Sequence, residues 1–114
     1  VEIVAGPTTR EADGLAMSSR NALLTVQDRA AAPVLWRALS AARDAYAAGE
    51  RDAAALRARM SAILGDQARA AAEYVSVADP VTLAELDRVG PAGALVSLAA
   101  RFGLVRLIDN IVLT

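Results

Sequence analysis

The stretch Ala94-Leu95-Val96-Ser97-Leu98-Ala99-Ala100-Arg101-Phe102-Gly103-Leu104-Val105-Arg106-Leu107-Ile108-Asp109-Asn110-Ile111-Val112-Leu113 decides the fold class. Pro91 and Gly93 open it, and residues 94–100 fit a buried strand. Arg101-Phe102-Gly103 reads as a turn, and residues 105–113 as a last strand with Asp109-Asn110 inside it. Two strands joined by about four residues that include a glycine predict an antiparallel hairpin. Upstream, Tyr74-Val75-Ser76-Val77 is β-branched and aromatic enough for a third strand, closed by Asp79-Pro80. The segment 82–86 is ambiguous.

Before residue 73 the period changes from two to 3.6. Thr25 suits a helix N-cap, with Asp28 three residues on as a weak capping box. Pro33 removes one backbone donor and kinks or restarts that helix. Leu35, Leu39, Ala42 and Tyr46 share one stripe, and Gly49 supplies the stop. A second helix starts near Asp52 and runs to Gly65, with Leu56, Met60, Ile63 and Leu64 on its apolar face and Arg57 and Arg59 off it. Residues 66–72 fit either a helical turn or a loop. Residues 1–5 read as a short strand stopped by Gly6-Pro7, and residues 8–21 as a loop turning at Asp13-Gly14. The order of strand, loop, two helices and three strands predicts an α+β fold, a small antiparallel sheet with helices on one face. The chain reads as a single domain over 1–114, with a loop region at 1–25, helices at 26–72 and sheet at 73–114.

The chain has 114 residues and a hydrophobic share of 55%. Alanine accounts for 28 of those positions, and the other 35 apolar residues are enough for one core. His, Cys and Lys are absent, so all 12 basic residues are Arg. That excludes a Cys or His nucleophile, an imidazole base, a Schiff-base or P-loop lysine, and soft-ligand zinc or iron–sulfur sites within the chain. A net charge of −1 gives no general reason to bind nucleic acid or an anionic membrane. The longest charge-free run, residues 89–100, is too short and too rich in Gly and Pro to span a bilayer. A start at Val1 in mid-strand, without Met or a signal-like layout, reads as a piece of a longer protein, its C-terminal part. The lack of cysteine fits a reducing cytoplasm.

One segment carries chemistry. In Arg10-Glu11-Ala12-Asp13-Gly14-Leu15-Ala16-Met17-Ser18-Ser19-Arg20-Asn21, two hydroxyls and a guanidinium follow a glycine turn. Hydroxyls and backbone N–H groups donate to phosphate oxygens, and Arg20 offers permanently charged bidentate donors to the same oxygens. Such a clamp stabilises charge during nucleotidyl transfer without His, Cys or Lys. By residue type alone, a Ser-Ser-Arg-Asn run beside a turn is more often a solvated loop or helix cap. Glu11 and Asp13 could pair on Mg²⁺, but their spacing on a loop fits surface charge better. Asp109 and Asn110 fit hydrogen bonding at the sheet end better than catalysis. Arg101 and Arg106 fit solvated or ion-paired surface positions, and Trp36 and Tyr46 fit packing rather than a ligand platform.

Residues 6–21 with Leu24-Thr25 closely resemble the start of the C-terminal domain in the pantothenate synthetase (pantoate–β-alanine ligase) family. Residues 98–110 look like that family's closing hairpin, and residues 74–80 like its middle strand. The resemblance covers essentially the whole chain. It implies a cytoplasmic, usually homodimeric enzyme that joins (R)-pantoate to β-alanine with ATP and Mg²⁺ through pantoyl adenylate. It also implies a Rossmann-like N-terminal half, outside this chain, holding a His-containing phosphate motif, a lysine, the substrate pocket and the metal ligands. The C-terminal domain acts there as a lid, and Met17-Ser18-Ser19-Arg20 is the counterpart of the Lys-Met-Ser-Lys-Ser loop of class I aminoacyl-tRNA synthetases. Carried over by position, Ser18, Ser19 and Arg20 contact the ATP phosphates, and Met17 lines the nucleotide site. Thr9 contacts adenine through its backbone, in place of a more usual aliphatic residue. Leu23 stands where members commonly have Tyr and reads as packing. No nucleic acid or membrane partner is implied, and the isolated chain is expected to be inactive. The rival readings are a non-catalytic α+β interaction or dimerisation module and a small regulatory nucleotide-binding domain. An exposed apolar patch with Ser18 to Arg20 turned from any cleft would mark the first, and ATP affinity of the chain alone the second.

Overall fold

Three strands in the order β1-β2-β3, each antiparallel to its neighbour, form the sheet on which everything else rests. The computed structural model describes residues 10–15 and 19–114, so the strand expected at 1–5 and the stop at Gly6-Pro7 lie outside the described residues. β1 is Ala71–Ala78, β2 is Ala94–Phe102 and β3 is Val105–Leu113. The described helices are α1 (Val26–Ala31), α2 (Val34–Ala47), α3 (Ala53–Asp66) and a 3-10 helix at Ser19–Leu23. The α+β class is as the sequence implies: α2 and α3 pack on each other and on one face of the sheet.

The core lies between those two helices and the sheet. Leu35, Leu39 and Ala42 of α2 and Leu56, Met60 and Leu64 of α3 meet Val77 of β1 and Val96, Leu98, Ala100 and Phe102 of β2, all buried. Tyr46 and Ile63, expected on the same stripes, are only half-buried at its edge. Local chemistry sets the helix starts. Thr25 Oγ1 accepts from Asp28 N at 3.1 Å, and Asp52 Oδ1 accepts from Ala54 N at 2.9 Å. α1 ends at Ala31 and α2 begins at Val34, so Pro33 restarts the helix instead of kinking it.

Three boundaries differ from the sequence reading. Residues 19–23 form a 3-10 helix instead of loop. β1 begins at Ala71 and so takes in the end of the segment 66–72 that fitted either a helical turn or a loop. The extra residue Glu73 bulges between Ala72 and Tyr74, which hides the two-residue period at that point. The hairpin turns at Gly103-Leu104 and not at Arg101-Phe102-Gly103, because Phe102 keeps the inward alternation and pairs with Val105. Gly103 has φ +62, so glycine stands first in the two-residue turn, as a type II′ hairpin requires.

The ambiguous segment 82–86 folds back along β1. Asp79 Oδ1 accepts from Val81 N and Thr82 N at 2.8 and 2.9 Å, and Leu86 N donates to Val77 O at 2.9 Å. Those two N–H donors hold the Asp79 carboxyl below the ordinary carboxylate range. Arg57, off the apolar face of α3, clips the segment down by bonding Glu85, Val77 O at 3.2 Å and Leu86 O. Partial burial opposes ionisation of Glu85, but bonds from Ser76, Val77 N and Arg57 outweigh it and lower its pKa.

Candidate functional site: the stem at residues 10–15 and the Arg20 edge

Along β3, Leu107, Asp109 and Leu113 are buried with their side chains towards the helices, while Ile108 lies on the opposite face and is half exposed. A carboxylate in that inward row demands a cation. It is Arg10, which donates from Nη1 to Asp109 Oδ2 at 2.6 Å and from Nη2 to Oδ1 at 3.1 Å. Asp109 is 4% exposed. The same Nη1 also donates to Gly14 O at 3.0 Å, and the guanidinium lies 4.0 Å from the centre of the Trp36 ring on α2. Arg43 also approaches that ring, at 5.2 Å.

Residues 10–15 thus form a compact stem. Gly14 N donates to Glu11 O at 2.9 Å and Glu11 N to Leu15 O at 2.8 Å, while Leu15 is buried in the core. Gly14 has φ +91 and faces Trp36 so closely that a Cβ there would overlap ring atom Cδ1. Asp13 pairs with Arg29 of α1 at 2.7 Å, and that bond holds the Asp13 carboxyl below its usual range and raises Arg29. Of the two carboxylates considered for Mg²⁺, Asp13 is therefore already committed to a cation. Among the described residues no three carboxylates gather as a metal site.

The expected site residues divide. Thr9, Met17 and Ser18 lie outside the described residues, and only the backbone of Ser19, opening the 3-10 helix, is described. Arg20 is exposed on that helix, and its Nη1 donates to Arg106 O on β3 at 3.3 Å. Arg101 and Arg106 stand directly opposite each other across β2 and β3, and both bond Glu73 on the β1 bulge. The two arginines, Arg106 foremost, hold the Glu73 carboxyl low, and Glu73 in turn raises Arg106. Ion pairing is thus their observed state. Trp36 and Tyr46 carry guanidinium groups on their rings, since Arg51 lies 3.9 Å over Tyr46.

Leu23, read as packing, is 71% exposed at the end of the 3-10 helix, so it is not part of the core formed by the described residues. The residue that sequence reasoning missed is Arg10, whose partner is 99 positions away. The available signal was Asp109 itself, a carboxylate in phase with Leu107 and Leu113.

The model of the Pantoate-beta-alanine ligase family matches residues 1–112. The chain belongs to the pantoate–β-alanine ligase family. A pantothenate synthetase of Chloroflexus aurantiacus is 62% identical over 110 residues, which are 96% of this chain and 39% of the relative. One from Herpetosiphon aurantiacus is 58% identical over 113 residues, 99% of this chain and 41% of the relative. The crystal structure of pantothenate synthetase from Thermus thermophilus superposes with a TM-score of 0.86 at 39% identity, covering 93% of this chain and 38% of that one. The chain therefore spans about two fifths of the length of the curated relatives it matches. Among its described residues no helix is long and apolar enough to cross a membrane.

Proposed function

We propose that this chain is the nucleotide-covering part of a cytoplasmic pantothenate synthetase, in which it holds the ATP phosphates through Ser18, Ser19 and Arg20. The observation that carries the reading is the setting of Arg20. It is exposed, on a 3-10 helix that opens at Ser19, and braced against the backbone of β3. Arg20 therefore presents a permanent cation at a sheet edge, directly after two hydroxyl residues.

In the proposed reaction a carboxylate oxygen of pantoate bonds to the α-phosphorus of ATP, and the bond to the bridging oxygen breaks to release pyrophosphate. The amine of β-alanine then bonds to the acyl carbon, loses a proton, and AMP departs. Arg20 and the two hydroxyls act in the first step by neutralising charge on the departing pyrophosphate. Met17 lines the nucleotide site, and the Thr9 backbone meets adenine. The reading assigns the Mg²⁺ ligands to the part of the enzyme that holds pantoate and β-alanine, and takes the full-length protein as a homodimer. On this reading the isolated chain makes no pantothenate, and its doing so would refute the division of labour.

The test is pantoate-dependent exchange of pyrophosphate into ATP by a full-length protein containing this chain. Arg20→Ala is expected to lower that rate about 100-fold or more, the loss typical of one preorganised charge-stabilising donor. An unchanged rate removes Arg20 from the reaction. It would favour a non-catalytic interaction module instead, for which the half-exposed Tyr74 and Ile108 on the helix-free face of the sheet are the supporting observation.

A further inference from the structure

We infer that Arg10 and Asp109 are positioning residues for the nucleotide: a buried ion pair that anchors the stem at residues 10–15 without touching substrate. The inference rests on the proposed ATP-binding role of residues 9 and 17–20.

Three features of the pair exceed what packing needs. It is bidentate and nearly dry, with side-chain exposures of 16% for Arg10 and 3% for Asp109. A charge pair in such a place gains little over an apolar pair of the same volume, but it fixes distance and angle where apolar contact does not. The guanidinium is further held in its plane by the Trp36 ring and by Gly14 O. Finally, Arg10 directly follows Thr9, and the stem that it pins at Gly14 leads through Leu15 into residues 16–18. One ion pair thus lies at the root of both the adenine-contacting and the phosphate-contacting positions. Its anchor, Asp109, is on the same strand as Arg106, whose carbonyl braces Arg20. The stem and Arg20 are therefore both anchored to β3.

The test uses a full-length protein containing this chain and reads KM for ATP, KM for pantoate and melting temperature together. Asp109→Asn keeps the side-chain shape and removes the charge. It is expected to raise KM for ATP about ten-fold or more, as misplacement by an ångström can, with KM for pantoate within two-fold of the parent. Leu56→Ala, buried on α3 and outside the stem's ion pair, provides the comparison: it should lower the melting temperature without moving either KM. If Asp109→Asn leaves KM for ATP unchanged, or if Leu56→Ala raises it equally, the pair is structural only and the inference is overturned. Should Asp109→Asn fail to fold, Arg10→Lys decides. It keeps a cation facing Asp109 but loses the fork and the flat stacking, and must still raise KM for ATP several-fold; a parental value overturns the inference. Arg20→Ala in the same assay separates the two readings. If Arg20→Ala is silent the phosphate reading falls and the positioning role with it, whereas if Arg20→Ala is impaired and the pair variants are silent, only the positioning role falls.

Discussion

The helix–sheet core and the stem at residues 10–15 both bury side chains against the same sheet, but by opposite means. The core is Leu, Val, Ala, Met and Phe packed without direction, so α2, α3 and β2 are held by volume. The stem is held by aimed contacts: Arg10 on Asp109, Arg10 on Trp36, Asp13 on Arg29, and a glycine at φ +91. Apolar packing specifies that a segment is buried, whereas forked ion pairs specify where its atoms are. On the proposed function the division matches use, since the core only has to exist while the stem leads into the proposed phosphate-contacting residues.

The comparison is broken most directly in the core. Leu56 is fully buried between α3 and the rest of the cluster. Leu56→Ala removes methyl groups and leaves a cavity, at a cost of about 2–5 kcal/mol. Chemical denaturation should show the midpoint falling with little change in slope. A loss below about 1 kcal/mol would mean that the core collapses around the gap and is less tightly specified than the stem.

Glycine sharpens the contrast because the same change should have opposite signs in the two regions. Gly14→Ala puts a methyl group into the Trp36 ring at a positive φ, so it should destabilise by about 1–3 kcal/mol and displace Arg10 from the ring. Gly65, within α3 and facing open space, has no such constraint. Gly65→Ala should stabilise by about 0.5–1 kcal/mol through better helix propensity. Thermal melts check both signs, and Trp36, the chain's one tryptophan, reports the first by its fluorescence. A stabilising Gly14→Ala would show the stem to be as tolerant as a helix surface.

What was legible in the sequence follows the same line. Features set by neighbours in the chain could be read directly: the caps at Thr25 and Asp52, a break at Pro33, and the presence of β2 and β3. Features set by distant partners could not. The hairpin was misplaced because Arg101 breaks the apolar run while Phe102 silently continues it. Residues 19–23 looked like loop because Ser, Arg and Asn suit turns, and only their rest on β3 makes a 3-10 helix there. Arg20 could be named from its motif, whereas Arg10 was one of twelve arginines with nothing local to single it out. Pairing it with Asp109 required the fold.

The smallest expected effect belongs to the surface cluster beside Arg20, where charge acts without burial. Glu73 neutralises Arg106 and Arg101, two cations that the hairpin register sets face to face. Its carboxyl is held low, by Arg106 first and Arg101 next, so it favours the folded state when ionised. A lowered carboxylate contributes stability above its unfolded pKa, about 4.3, and that contribution disappears as pH falls through the folded value. Glu73→Gln should therefore melt slightly below the parent at pH 7, and the gap should narrow as pH falls below the unfolded carboxylate's pKa and through the lowered folded one. Salt at molar strength should narrow the gap at pH 7 as well, since exposed pairs are screened. Leu56→Ala, with no charge involved, should keep its gap through the same salt range. If the Glu73→Gln gap instead persists unchanged at the acid end, the bulge at Glu73 holds β1 by shape, in the manner of the core, and not by charge, in the manner of the stem.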